Sequence, residues 1–131
     1  MRLWHQQLIP KLDRQRLLGQ HRECAALRGK GWGKKHSVVD YAFTYDPDYL
    51  VAYHYLIMDE MEARGYHPDS VWRNPNWRGA AIGEEANWTN GSYKKLHEMG
   101  QQGVMIFAEH NDTYLQECID ILKEKGIEII M

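Results

Sequence analysis

The chain has 131 residues, is 44% hydrophobic and carries a net charge of −2, which fits a single domain spanning 1–131 with a real core. No stretch approaches the ~18 consecutive apolar residues of a membrane span, and two cysteines, Cys24 and Cys118, are too few for a disulfide framework. The opening MRLWHQQLIPKLDR lacks the uninterrupted apolar stretch of a signal peptide, so the expectation is a cytoplasmic protein with reduced thiols and with unused sequons at Asn87, Asn90 and Asn111. The small net charge conceals a division. Residues 1–36 hold nine Lys/Arg against two acids, and the remainder holds seven against sixteen, so a +7 segment is joined to a −9 one. Such a segment attracts polyanions, or else it is a basic surface helix balanced by acids packed nearby.

In chain order, residues 12–28 predict a helix with Asp13 as N-cap, Leu17, Leu18, Ala25 and Leu27 as its apolar stripe and Gly29 as its stop. Gln15, Gly19, Arg22 and Glu23 recur at three- and four-residue spacings and share the opposite, solvent-facing side. The loop GKGWGKK at 29–35 has glycines that let backbone N–H groups approach an anion, with Lys30, Lys34 and Lys35 adding charge. It matches neither nucleotide-loop pattern. A second helix is predicted over 47–64, opened by Asp46-Pro47, with Val51, His54, Met58 and Met61 tracing one face, Leu50 and Ile57 beside them, and Gly65 ending it.

Residues 66–79 form a Pro/Asn-rich loop with two Trp-Arg pairs, Trp72-Arg73 and Trp77-Arg78. Residues 80–102 are ambiguous, with SYKKLHEMG as a possible short helix. Residues 112–125 carry the best amphipathic pattern, Leu115, Cys118, Ile119 and Leu122. The apolar runs 104–107 and 127–130 predict two short strands or extended packing segments. The fold class is therefore mainly α, a compact helical domain with long loops.

Seven histidines are scattered without HExxH or HxH, so a metal is not expected. No GxSxG accompanies Ser37, Ser70 or Ser92, and both cysteines fall where buried helix residues belong. The remaining chemistry is at the N-terminus: an α-amine at Met1, Arg2 beside it, and Arg22-Glu23 on the first helix. Free α-amines in general titrate near ~7.7–8.0, well below lysine, and form Schiff bases with electrophilic carbons. A nearby carboxylate can stabilise positive charge or move protons. An ordinary terminus followed by a charged helix accounts for the same residues.

At these positions the chain resembles the phage pyrimidine-dimer DNA glycosylase family, also called endonuclease V, and its small uncharacterised cellular branch. The resemblance rests on Arg2-Leu3, on L-x2-Q-x-L-x4-RE (Leu12, Gln15, Leu17, Arg22, Glu23), on Lys35-His36, on Ala63-Arg64-Gly65-Tyr66 and on Trp77-Arg78-Gly79. It covers the first forty residues best, requires a deletion in the middle and does not reach the last thirty. It implies a mostly helical fold and attack of the N-terminal amine on the sugar C1′ of a pyrimidine dimer. An imine then forms, and β-elimination nicks the strand. It implies Met1 and Glu23 as catalytic residues and Arg2 and Arg22 on phosphates, and the basic loop adds Lys34 and Lys35 as expected further DNA contacts. The partner is damaged double-stranded DNA, and no metal, organic cofactor or obligate protein partner is required. The phage enzyme exposes a threonine after losing its initiator methionine, whereas Arg2 leaves the amine on a retained Met1. Two other readings stay open: a non-catalytic nucleic-acid-binding protein on the same scaffold, and a small-molecule enzyme using His21, Glu23 and the loop aromatics Trp72 and Trp77.

Overall fold

The computed structural model describes every residue except His36, so the Lys35-His36 match lies partly outside the described residues. Four α-helices order the chain: α1 (Arg14–Arg28), α2 (Pro47–Ala63), α3 (Tyr93–Gln101) and α4 (Asp112–Glu124). Among the described residues three 3-10 turns accompany them: Gln6–Lys11 before α1, Asp40–Thr44 between α1 and α2, and Ser70–Arg73 between α2 and α3. The mainly α class holds, and none of the helices is long and apolar enough to cross a membrane.

Helix α2 is the axis. Starting from Asp46 with Pro47 in its first turn, it buries Leu50, Ala52, Tyr53 and Ile57 on one side and Val51, Tyr55 and Met58 on another. Packing against α1, α3 and the first two 3-10 turns surrounds it. The single apolar face expected from the sequence is therefore too narrow, because a helix with neighbours all round buries nearly every side. It ends where expected, with Gly65 at φ +88. The Tyr66 N–H returns to the Met61 carbonyl and the Gly65 N–H to that of Glu62, a closure that requires a left-handed residue between them.

The other helices start on side-chain caps. Asp13 accepts the Arg16 N–H at the head of α1 and Asn111 accepts the Tyr114 N–H at the head of α4. Helix α3 has no such local cap. The Asp48 carboxylate of α2, fully buried, accepts the N–H groups of Asn90, Gly91 and Tyr93 at 2.9, 3.1 and 2.9 Å. A buried carboxylate is tolerated only with this many donors.

The two C-terminal strands do not form. Among the described residues the only β pairing is an isolated bridge between Trp77 and Glu84. In the 104–107 run, Gln6 takes the place of a neighbouring strand: its Nε2 donates to the Val104 carbonyl and its Oε1 accepts the Ile106 N–H, both at 2.8 Å. With those groups satisfied by one side chain, Ile106 and Phe107 enter the core as a loop. The 127–130 run stays extended, with Ile127 and Ile129 laid on the core and Glu128 and Ile130 exposed.

Cys24 and Cys118 are buried free thiols, as expected. Burial pushes both thiols upward, away from the reactive thiolate.

Candidate active site

The N-terminal stretch is held extended across α1 by buried polar groups. Gln20, fully buried on α1, accepts the Trp4 N–H through Oε1 at 2.7 Å and donates through Nε2 to the Arg2 carbonyl at 2.9 Å. The hydroxyl of Tyr53 on α2 is 2.6 Å from the Trp4 carbonyl and 2.9 Å from Gln20 Oε1. Leu3, between the two pinned residues, is wholly in the core.

This stretch and α1 form a cleft of about 550 Å³. Met1, Arg2, Arg22 and Glu23 all line it, so the structure brings together four of the six residues nominated from sequence. Gln15 and Gly19 lie on the same wall, as their spacing implies. Glu23 is half-buried; its Oε2 accepts from Gln20 Nε2 at 3.1 Å. Burial pushes its carboxyl above the ordinary carboxylate range, against the pull of the Met1 ammonium, the Arg2 main-chain N–H and Arg22. The N-terminal charge is thus the leading electrostatic neighbour of this carboxylate. Arg22 is exposed. Arg2 lies over the rings of Trp4 and Tyr114 at 6.0 and 5.9 Å, with Nη1 3.6 Å from Glu117.

Sequence reading missed five further wall residues: Trp4, Arg16, Val38, Ile121 and Lys125. Lys125 comes from the acidic remainder and closes the cleft from the end of α4, so Arg2, Arg16, Arg22 and Lys125 line it with Glu23 as its one acid, while Arg16 also pairs with Asp13 at 3.4 Å. Helical spacing also points to Arg16, three residues before Gly19 and seven before Glu23 on α1, whereas only proximity in space reveals the other four.

Lys34 and Lys35 do not join the cleft. Both are exposed on the turn beyond α1. Three of the loop's N–H groups are taken up by carbonyls of α1 and of the loop itself, Gly31 to Ala26, Trp32 to Gly29 and Lys34 to Gly31. A Cβ on Gly31 would sit 2.8 Å from the Ala26 carbonyl, so the glycine serves a close return of the chain onto α1.

The small-molecule cleft of His21, Glu23, Trp72 and Trp77 is not assembled. His21 turns to the buried His54, Nδ1 to Nε2 at 2.8 Å, and Trp72 packs its ring on His54 and on Trp77. None of the three lines the Glu23 cleft. A larger depression of about 800 Å³ lies between the first 3-10 turn, α2 and α3. Its two acids are already paired, Asp59 with Arg73 and His97 at 2.9 and 2.6 Å and Glu60 with Arg64 at 2.7 Å. Among the described residues no three His, Cys, Asp or Glu side chains group as metal ligands.

No curated relative and no solved structure matches the chain. The family described as pyrimidine dimer DNA glycosylase matches residues 1–74, a stretch that carries the pinned terminus, α1 and α2. It covers more than half of the chain, and the protein belongs to the pyrimidine dimer DNA glycosylase family.

Proposed function

We propose that this protein is a DNA glycosylase and abasic-site lyase acting on damaged duplex DNA of the pyrimidine-dimer type, with the α-amine of Met1 as its nucleophile. The observation that carries this reading is the sharing of one cation-rimmed cleft by Met1 and Glu23. Arg2, Arg16, Arg22 and Lys125 hold the phosphates around the extruded nucleotide, and Trp4, Val38 and Ile121 offer it an apolar wall. The exposed Lys34 and Lys35 reach flanking phosphates.

In this mechanism the uncharged amine attacks C1′. The glycosidic bond breaks with its electron pair going to the base nitrogen, which takes up a proton. Opening of the sugar ring, with protons passing from the amine to the ring oxygen, leaves an imine between Met1 and C1′. Glu23 stabilises the positive iminium and then removes a C2′ proton. The C3′–O bond breaks, the 3′ phosphate departs, and water hydrolyses the imine to free the amine. A half-buried carboxylate whose affinity for protons is raised by burial suits that transfer.

Borohydride trapping on abasic-site duplex tests the reading. A covalent adduct mapping to Met1 is the expected result, with trapping abolished and binding retained after selective α-amine acetylation or an uncleaved N-terminal extension. One added residue displaces the amine by ~3.5 Å of extended chain, too far for an attack that needs atoms ~3–3.5 Å apart. An adduct on Lys34 or Lys35 would overturn the α-amine. Salt-sensitive binding with no adduct would leave a non-catalytic binding protein.

A further inference from the structure

Gln20 is fully buried and every hydrogen-bonding position of its side-chain amide is taken. The Trp4 N–H and the Tyr53 hydroxyl lie at Oε1, and the Arg2 carbonyl and Glu23 Oε2 lie at Nε2. The amide's orientation follows from its main-chain partners, because an N–H must meet oxygen and a carbonyl must meet nitrogen. One NH2 group therefore grips both the residue next to Met1 and the carboxylate that works with Met1. A surface helix position would satisfy none of this, and a residue serving the core alone would not reach Glu23.

We infer that Gln20 is the positioning residue of this site, setting the separation of the Met1 amine from Glu23 by holding the Arg2 carbonyl and the Glu23 carboxylate on one amide. The inference rests on the lyase reading above and adds a residue to it. Tyr53 supports the same amide from α2, so the core that α1 and α2 share reaches the reacting groups through Gln20. Misplacement by about 1 Å is enough to cost ~10²-fold in a step that depends on orientation.

Two substitutions separate positioning from packing. Gln20→Met keeps the shape and loses all four hydrogen bonds. Gln20→Glu keeps the acceptor side toward Trp4 and Tyr53 but sets a carboxylate against the Arg2 carbonyl and Glu23. Each variant is measured for melting temperature, for affinity to a duplex with a non-reactive tetrahydrofuran site, and for single-turnover trapping on a reactive abasic site across pH. The expected result for Gln20→Met is ~10²-fold slower trapping at near wild-type affinity. For Gln20→Glu the acid limb of the trapping profile moves to higher pH, because two facing carboxylates oppose each other's ionisation.

Should Gln20→Met fail to fold, Tyr53→Phe removes a single hydroxyl from the same amide and is expected to slow trapping without weakening binding. Wild-type trapping in the folded variants, or trapping and affinity falling in equal proportion, would overturn the assignment. A wild-type protein that yields no adduct would end the amine chemistry itself. In that case carboxyl NMR titration of Glu23 in the DNA-free protein still decides the role of Gln20. An upward move in Gln20→Glu supports the shared amide, and an unmoved titration refutes it.

Discussion

The middle and the last turn of α1 put the same residue type to opposite uses. At the turn holding Glu23, Arg22 is exposed on the cleft rim, where its guanidinium is open to phosphate. At the last turn, Arg28 is wholly buried and donates to the carbonyls of Trp72, Asn74 and Trp77 at 2.9, 2.7 and 3.0 Å. It also faces His54 Nδ1 at 3.1 Å and lies 5.0 Å from the Trp72 ring. Its Nε has no partner, and burial lowers its pKa to about 10. Arg78 answers from the loop, donating to the Arg28 and Gly29 carbonyls at 2.8 and 3.1 Å with its charge over Trp88. The Trp-Arg pairs thus knot a loop onto a helix end and leave the cleft to other residues. A basic segment counted from sequence treats all nine cations alike, while burial sets Arg28, a fastener, apart from the cations that stay open to solvent.

Substitutions at the two places should move different quantities. The largest effect belongs to Glu23→Gln, for which turnover on abasic-site duplex is expected to fall ~10²–10⁴-fold, the usual contribution of a positioned carboxylate. Its melting temperature and DNA affinity should remain near wild type. Turnover at the wild-type rate would make Glu23 only a helix residue.

Arg28→Met should instead act on stability. It leaves three carbonyls without their donor, and each such buried group costs about 1–3 kcal/mol, whereas Arg22→Ala should stay within about 0.5 kcal/mol. Urea unfolding compares the two, and equal losses would erase the distinction between the two places on the helix.

A smaller effect follows from the buried histidines. Burial holds His54 well below its ordinary value, and burial with His5 nearby lowers His110 to about 3. In the unfolded chain both titrate near ~6.5. Their stabilising contribution is therefore fully present above that value and is lost as pH falls, because the unfolded state takes up protons the folded state refuses. Unfolding free energy should decline below about pH 6.5, by up to ~1.4 kcal/mol per pH unit for each such histidine. His110→Gln should flatten that decline by one proton, and an unchanged slope would remove His110 from the account.

The smallest effect is on binding. Arg22→Ala and Lys125→Ala should each reduce the salt slope of duplex affinity by ~0.9, although Lys125 lies outside the matched residues 1–74. An unaltered slope in Lys125→Ala would confine the DNA contacts to the N-terminal half.

What the chain revealed by itself were features decided within a few residues. Asp13 and Gly29 bound α1, Asp46-Pro47 opens α2, Gly65 closes it, and the period of α4 places Cys118 and Leu122 inward, because caps and periodicity depend on neighbours within about one turn. The spacing of Met1 to Arg22-Glu23 was readable too, although a 3-10 turn over Gln6–Lys11 stands between the short extended terminus and α1. The tertiary structure alone decided which polar groups are buried and with whom. Asp48 caps a helix more than forty residues away, Gln6 replaces the partner of an expected strand, and Arg28 fastens loops while Arg22 stays exposed. Gln20 joins the terminus to the carboxylate, and Lys125 completes the cleft from the far end of the chain. The physical reason is that a buried donor or acceptor must find a partner wherever the fold brings one, and no local pattern records a partner supplied from a distant part of the chain.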